Sequence, residues 1–193
     1  LSNNGAYTDD NTTGGISLSG TIQQQISGTG AYGKLEINNN SGARLSNGIM
    51  LQNDLVLTHG IFNINSNLLT LSQNSNIIGV PGITNMIMSD GVTSSLGVRK
   101  YFTPGPQSFT FPVGIAGKYT PAIFTIAANS SVGYINVNPV DNSHPSVLDP
   151  MNVLKYYWQI ESSGISGFDG SLLLQYLPGD VFCVERDYVA ERL

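Results

Sequence analysis

Chemistry on a protein surface begins with carboxylates and bases that the fold can bring together, and this chain offers few. Charged residues make up 11% of its 193 positions, against about a quarter in an ordinary soluble domain. A lyase or hydrolase needs paired carboxylates, or a carboxylate beside a base, on one outer face. The best grouping is Lys34, Glu36 and Asp54. Lys34 and Asp54 are 20 positions apart (54 − 34), and Glu36 follows Lys34 by two. A chain wound with a 20-residue period would therefore present all three outward together. A solvated ion pair on a sheet surface explains the same pattern. No catalytic, cofactor-binding or metal residue is assigned, and the chain is read as a non-enzyme.

The remaining candidates divide between chemistry and plain structure. His59 ends a run at a turn and His144 lies in Asp141-Asn-Ser-His-Pro, neither with metal-ligand spacing. Hard oxygen donors for calcium cluster at Asp9-Asp10-Asn11 and at Asp141-Asn142 with Asp149. No spaced calcium loop is present, and turn chemistry accounts for these residues. Ser17, Thr58 and Thr70 would form an outward hydroxyl array for ice or glycan, short and irregular. Tyr156 and Tyr157 are candidates to stack on a sugar, while alternation sends Trp158 and Ile160 to one face, the core. Cys183, between Phe182 and Val184, reads as a small strand residue, and as a lone cysteine it has no disulfide partner in the chain.

What would position these residues is a repeat. Leu35-Glu36-Ile37 returns as Leu55-Val56-Leu57, and Ile49-Met50-Leu51 returns as Leu69-Thr70-Leu71, each 20 residues on (55 − 35; 69 − 49). Ile16-Ser17-Leu18 precedes the first by 19, Ile77 follows Leu57 by 20, and Ile26, Leu45 and Ile64 run 19 apart. An offset this short fits flat coils whose strands stack about 4.8 Å apart, like over like. Leu35 and Ile37 then face inward and Glu36 outward. Gly60 with Gly79, and Asn47 with Asn67, fall at the turns, where stacked Asn side chains can bond one another. The expected fold is all-β: a right-handed parallel β-helix of about 20 residues per coil over 1–95. Residues 1–15 are read as a fragment of an earlier coil.

The second part, 96–193, differs in composition. All nine prolines lie at Pro81 or beyond, and only Tyr7, Tyr32 and Phe62 among the aromatics precede residue 100. Strands are expected near Val98–Thr103, Ser108–Val113, Ala122–Ala128, Tyr134–Asn138, Leu154–Ile160, Ser171–Tyr176 and Val181–Val184, separated by Pro/Gly clusters. That spacing suggests an antiparallel β-sandwich with an aromatic core, capping the helix and truncated at its C-terminal end. Asp187–Leu193 looks like the approach to another strand.

Net charge is −5 with eight scattered cations, which argues against nucleic acid as a partner. No apolar run is long enough for a membrane-spanning helix. The absence of an initiator Met and of a signal peptide suggests an internal piece of a longer chain.

The runs Gly20-Thr-Ile-Gln-Gln-Gln-Ile26-Ser-Gly28, Tyr32-Gly-Lys-Leu35-Glu-Ile37-Asn-Asn39 and Leu55-Val-Leu57-Thr-His-Gly60 resemble repeats in very large cell-surface and secreted proteins of Bacteroidota. Val98-Arg99-Lys100-Tyr101, Phe109-Thr-Phe111-Pro112-Val113-Gly114, Tyr119-Thr-Pro121 and Tyr157-Trp158-Gln-Ile160 are similar to the module that follows such repeats. The resemblance implies a non-catalytic, adhesin-like structural module, exported through the type IX secretion system and acting as a stalk or display scaffold outside the cell. It carries no catalytic residues. Its implied partners are other domains of the same long chain, with surface glycans or further copies of itself as candidates. The alternative is a carbohydrate-active or glycan-binding β-helix protein.

Overall fold

The computed structural model describes residues 1–9, 14–147, 149 and 151–188. The chain winds into a β-solenoid of four coils. The first coil holds β1 (Ile16–Ser19), β2 (Gln24–Ile26) and β3 (Ala31–Tyr32). The second holds β4 (Leu35–Asn38), β5 (Ala43–Leu45) and β6 (Ile49–Leu51), and the third β7 (Leu55–His59), β8 (Phe62–Asn65) and β9 (Leu68–Leu71). The fourth holds β10 (Ile77–Gly79), β11 (Ile87–Ser89) and β12 (Gly97–Phe102). Corresponding strands pair in parallel and make three faces: β1-β4-β7-β10, β2-β5-β8-β11 and β3-β6-β9-β12.

The register follows the sequence repeat. Ile16, Leu35, Leu55 and Ile77 stack in one column, and Leu18, Ile37 and Leu57 in the next. Ile49, Leu69 and Val98 stack on the third face. Leu35, Ile37, Leu55 and Leu57 are fully buried, because alternation in a short strand sends every second side chain into the lumen. Ser2 bridges Ser27 and Ala6 bridges Ala31, both in parallel. Residues 1–7 thus form part of a preceding coil, as their sequence suggests.

Turns are held differently from the expected Asn ladder. Asn67 donates to Ile64 O (2.9 Å) and Leu45 O (3.3 Å), and Asn39 to Ile22 O (2.7 Å). The amides satisfy carbonyls left over at corners, in their own coil or the one before. Gly60 has φ +90°, and a Cβ there would lie 1.9 Å from Asn39 O. Only glycine fits that approach between coils.

The C-terminal half builds on the same sheets. β13 (Gln107–Phe111), β14 (Val113–Ile115), β15 (Lys118–Tyr119), β16 (Ala122–Ala128), β17 (Gly133–Val140), β18 (Tyr157–Ser163) and β19 (Asp169–Leu174) follow in order. β14 joins β11 in parallel and β15 then closes that face antiparallel. β17 and β18 extend the third face antiparallel. Parallel pairing therefore runs past residue 95, to Val113 and Gly114. β13, β16 and β19 make an additional sheet, whose Phe109, Phe111 and Phe124 meet edge to face at 4.9 and 5.6 Å. Each such pair contributes about 0.5–1.5 kcal/mol beyond area burial. The strand expected at Val181–Val184 is absent: Cys183 takes φ +73°, which breaks an extended run, and Pro178–Asp180 and Glu185–Asp187 form 3-10 turns. The rest of the expected approach strand, 189–193, lies outside the described residues, as do Asp10 and Asn11 of the calcium candidate.

Candidate functional site

The register places Lys34 beside Asp54, since Leu35 pairs with Leu55, but the three candidate charges do not make one outward cluster. Asp54 turns inward and is 7% exposed, its Oδ1 accepting from Asn76 N (2.9 Å) and Asn76 Nδ2 (3.3 Å). Lys34 is anchored through its backbone N–H to Asp9 Oδ2 (2.6 Å). Glu36 stays on the outer face. Hydrogen bonds from Ser17 and Thr58, the latter at 2.7 Å, hold its carboxyl below the usual carboxylate range. A general acid needs the opposite shift. Thr70 lies on another face from Ser17 and Thr58, so the three hydroxyls share no plane.

Asp54 instead belongs to a buried polar corner. On β12, Val98, Lys100 and Phe102 face the lumen, and Lys100 tops the column Tyr32, Leu51, Leu71. Its Nζ donates to Ser72 O (2.7 Å) and Gln73 O (3.0 Å) and lies 5.4 Å from the Phe109 ring centre. Burial lowers its pKa to about 8, against a smaller upward pull from Asp54. Ser72 Oγ and Ser75 Oγ carry the network to Gln52 O (2.7 Å) and Leu51 O (2.8 Å). This corner rivets successive coils together.

The other candidates are dispersed. His59 Nδ1 shares a hydrogen bond with Asn38 Oδ1 (3.1 Å), and His144 packs edge-on against Tyr157. Among the described residues, no three His, Cys, Asp or Glu side chains gather as a metal site. At Asp141 the neighbouring cation is Lys118 Nζ (2.5 Å), which also bonds the buried Asp180. Burial alone would lower the Lys118 pKa, but its bonds to both carboxylates raise it. Asp149 Oδ1 accepts from Met151 N (3.0 Å). Tyr156 is 1% exposed, with its hydroxyl bonded to Thr120 Oγ1, and burial pushes its phenol up. It is a core residue and cannot stack on a sugar. Trp158 packs against the core as expected, its indole N–H donating to Thr120 O (2.8 Å). Cys183 is exposed.

One feature was not anticipated from sequence. A furrow runs along the corner between the first and second faces as two adjoining depressions, of about 230 and 530 Å³, sharing Asn40 and Thr84. Gln23, Asn63 and Met88 line one end, and His59, Val80 and Asn85 the other. Asn85 Nδ2 donates to Leu57 O (2.9 Å) and Val80 O (3.3 Å), leaving its buried Oδ1 without a partner. Among the described residues, no Asp, Glu, Lys or Arg lines it. Its residues come from several phases of the repeat, with Gln23 before β2, Asn40 after β4 and the paired Asn63 and Met88 within strands, so no single spacing marks it.

No protein-family model matches this chain, and no curated protein or solved structure is significantly similar to it.

Proposed function

We propose that this chain is a non-catalytic structural module of a large exported bacterial surface or filament protein, of the adhesin-like kind its sequence resembles. It serves as a stiff stalk or display scaffold outside the cell. The coils are right-handed, and the antiparallel strands within 96–193, β13 included, act as a sandwich-like cap. Its partners are neighbouring domains of the same long chain. What supports this reading is the in-register stacking of four coils on three faces. A stacked array of hydrogen-bonded rungs resists bending and leaves little backbone for a protease to enter. The inward turn of Asp54 and the lowered pKa of Glu36 favour structure over hydrolysis at the best acidic candidate.

Limited proteolysis with a broad-specificity protease, read by mass spectrometry, tests it. Residues 16–115 should survive as a block while early cuts fall in the turns of 141–147. Rapid cleavage throughout 16–80 would remove the basis for a stacked scaffold.

A further inference from the structure

We propose that β19 is a dimerisation edge: two copies of this chain pair antiparallel along Asp169–Leu174 and join their β13-β16-β19 sheets into one. This goes beyond the stalk reading and does not depend on it. β19 ends its sheet, with β16 on one side only. Gln175 N donates to Pro121 O (3.2 Å), the residue opposite it in the register. Bonded and non-bonded pairs alternate along an antiparallel ladder. Ser171 and Leu173 therefore turn their backbone groups to β16, while Gly170, Leu172 and Leu174 present theirs to the open side. No described residue bonds those outward groups.

Other sheet edges are guarded or short. β18 carries Glu161, and a charge on an edge strand discourages pairing. β13 already buries Phe109 and Phe111 and exposes Ser108 and Thr110, while β10 is three residues long. β19 has six residues and is uncharged from Gly170 to Leu174. It leaves Leu172 41% and Leu173 63% exposed, on opposite faces of the sheet.

A second copy fits because the strand is complementary to itself. A two-fold axis through Leu172 sets that residue against the partner's Leu172, and Gly170 against the partner's Leu174. All three outward residues are then bonded in pairs. An axis through Ser171 or Leu173 would leave one of them without a partner inside the strand. The two Leu172 side chains pack together on the face that carries Phe124, the neighbour of Leu172 on β16. Asp169 comes opposite the partner's Gln175, so no like charges oppose each other. Such a contact uses the same edge of both copies and closes at two.

Sedimentation velocity of the 193-residue chain, from about 1 to 500 µM, tests the pairing. The chain should pass from monomer to dimer with a dissociation constant of about 10–100 µM and go no further. Leu172→Lys sets two ammonium groups against each other and should weaken association about tenfold or more. Leu173→Lys, at the more exposed position, should also weaken it and serves if the first variant does not fold. Ile78→Lys, 47% exposed on β10, should leave it intact. In a Cys183→Ser background, Leu172→Cys should give a disulfide-linked dimer on mild oxidation. The pairing is refuted by a monomer at about 500 µM, by growth past the dimer, or by equal association in both β19 variants. Loss of the dimer in Ile78→Lys, or no disulfide from Leu172→Cys, would refute it too. A monomer that takes up an unrelated extended peptide on β19 would overturn the second copy as its occupant. A protease-resistant rod that stays monomeric would overturn this proposal while leaving the scaffold reading in place.

Discussion

Replacing Lys100 with Met probes a cation enclosed by the solenoid. In the folded chain its ammonium sits above Leu71 and beside Phe109, 4% exposed, and burial lowers its pKa from 10.5 to about 8. Between those values the folded chain has released a proton that the unfolded chain still holds. The unfolded state binds more protons there, so stability rises with pH. A shift of about 2.5 units (10.5 − 8) at about 1.4 kcal/mol per unit gives about 3.5 kcal/mol in full. The gain is absent well below pH 8 and complete only above pH 10.5. Urea unfolding at intervals from pH 7 to 9.5 would follow it in the native chain and in Lys100→Met. Buried phenols such as Tyr156, whose pKa is raised, act in the opposite direction as they approach ionisation, and the difference between the two proteins cancels them. The native chain should gain about 2 kcal/mol on the variant across that range. Parallel stability curves would refute a desolvated ammonium at this position.

Two further substitutions test the stacking itself. Gly60→Ala forces a Cβ into Asn39 O at a φ of +90° and should lower stability by about 3 kcal/mol or more in urea titration; a loss below about 1 kcal/mol would mean the coils can separate there. Leu57→Ala empties part of a buried column and should cost about 2–5 kcal/mol, whereas Leu173→Ala, 63% exposed on β19, should stay within about 0.5 kcal/mol. Equal effects on the unfolding midpoint would contradict the assigned faces.

The solenoid was legible because a filled lumen forces like residues to recur in phase. Leu35 over Leu55 and Ile49 over Leu69 are contacts between coils, yet they register as a constant offset along the chain. The inward course of Lys100 was also available, since it shares parity with Val98 and Phe102, but a charge discourages a core assignment. The destination of the later strands was harder to read. A run such as Tyr134–Asn138 looks the same whether it founds a new sheet or, as here, pairs with β12, because its partner lies far away in sequence. The acidic candidates misled for a related reason. A 20-residue offset makes Lys34 and Asp54 neighbours, but the direction of each side chain depends on corner carbonyls and amides such as Asn76 that no periodicity encodes. The furrow escaped notice because its lining mixes turn residues such as Asn40 and Thr84 with outward-facing strand residues such as Asn63 and Met88, about which hydrophobic phase says nothing.

Ile16, Leu35 and Leu55 occupy one column, 19 and then 20 residues apart (35 − 16; 55 − 35). Excising residues 35–54 would bring Leu55 directly under Ile16 with every face still in phase, whereas removing half as many would swing apolar residues out into solvent. Such an architecture can lengthen or shorten only in whole windings, so its reach is quantised, and small insertions must be shed outward at the bends.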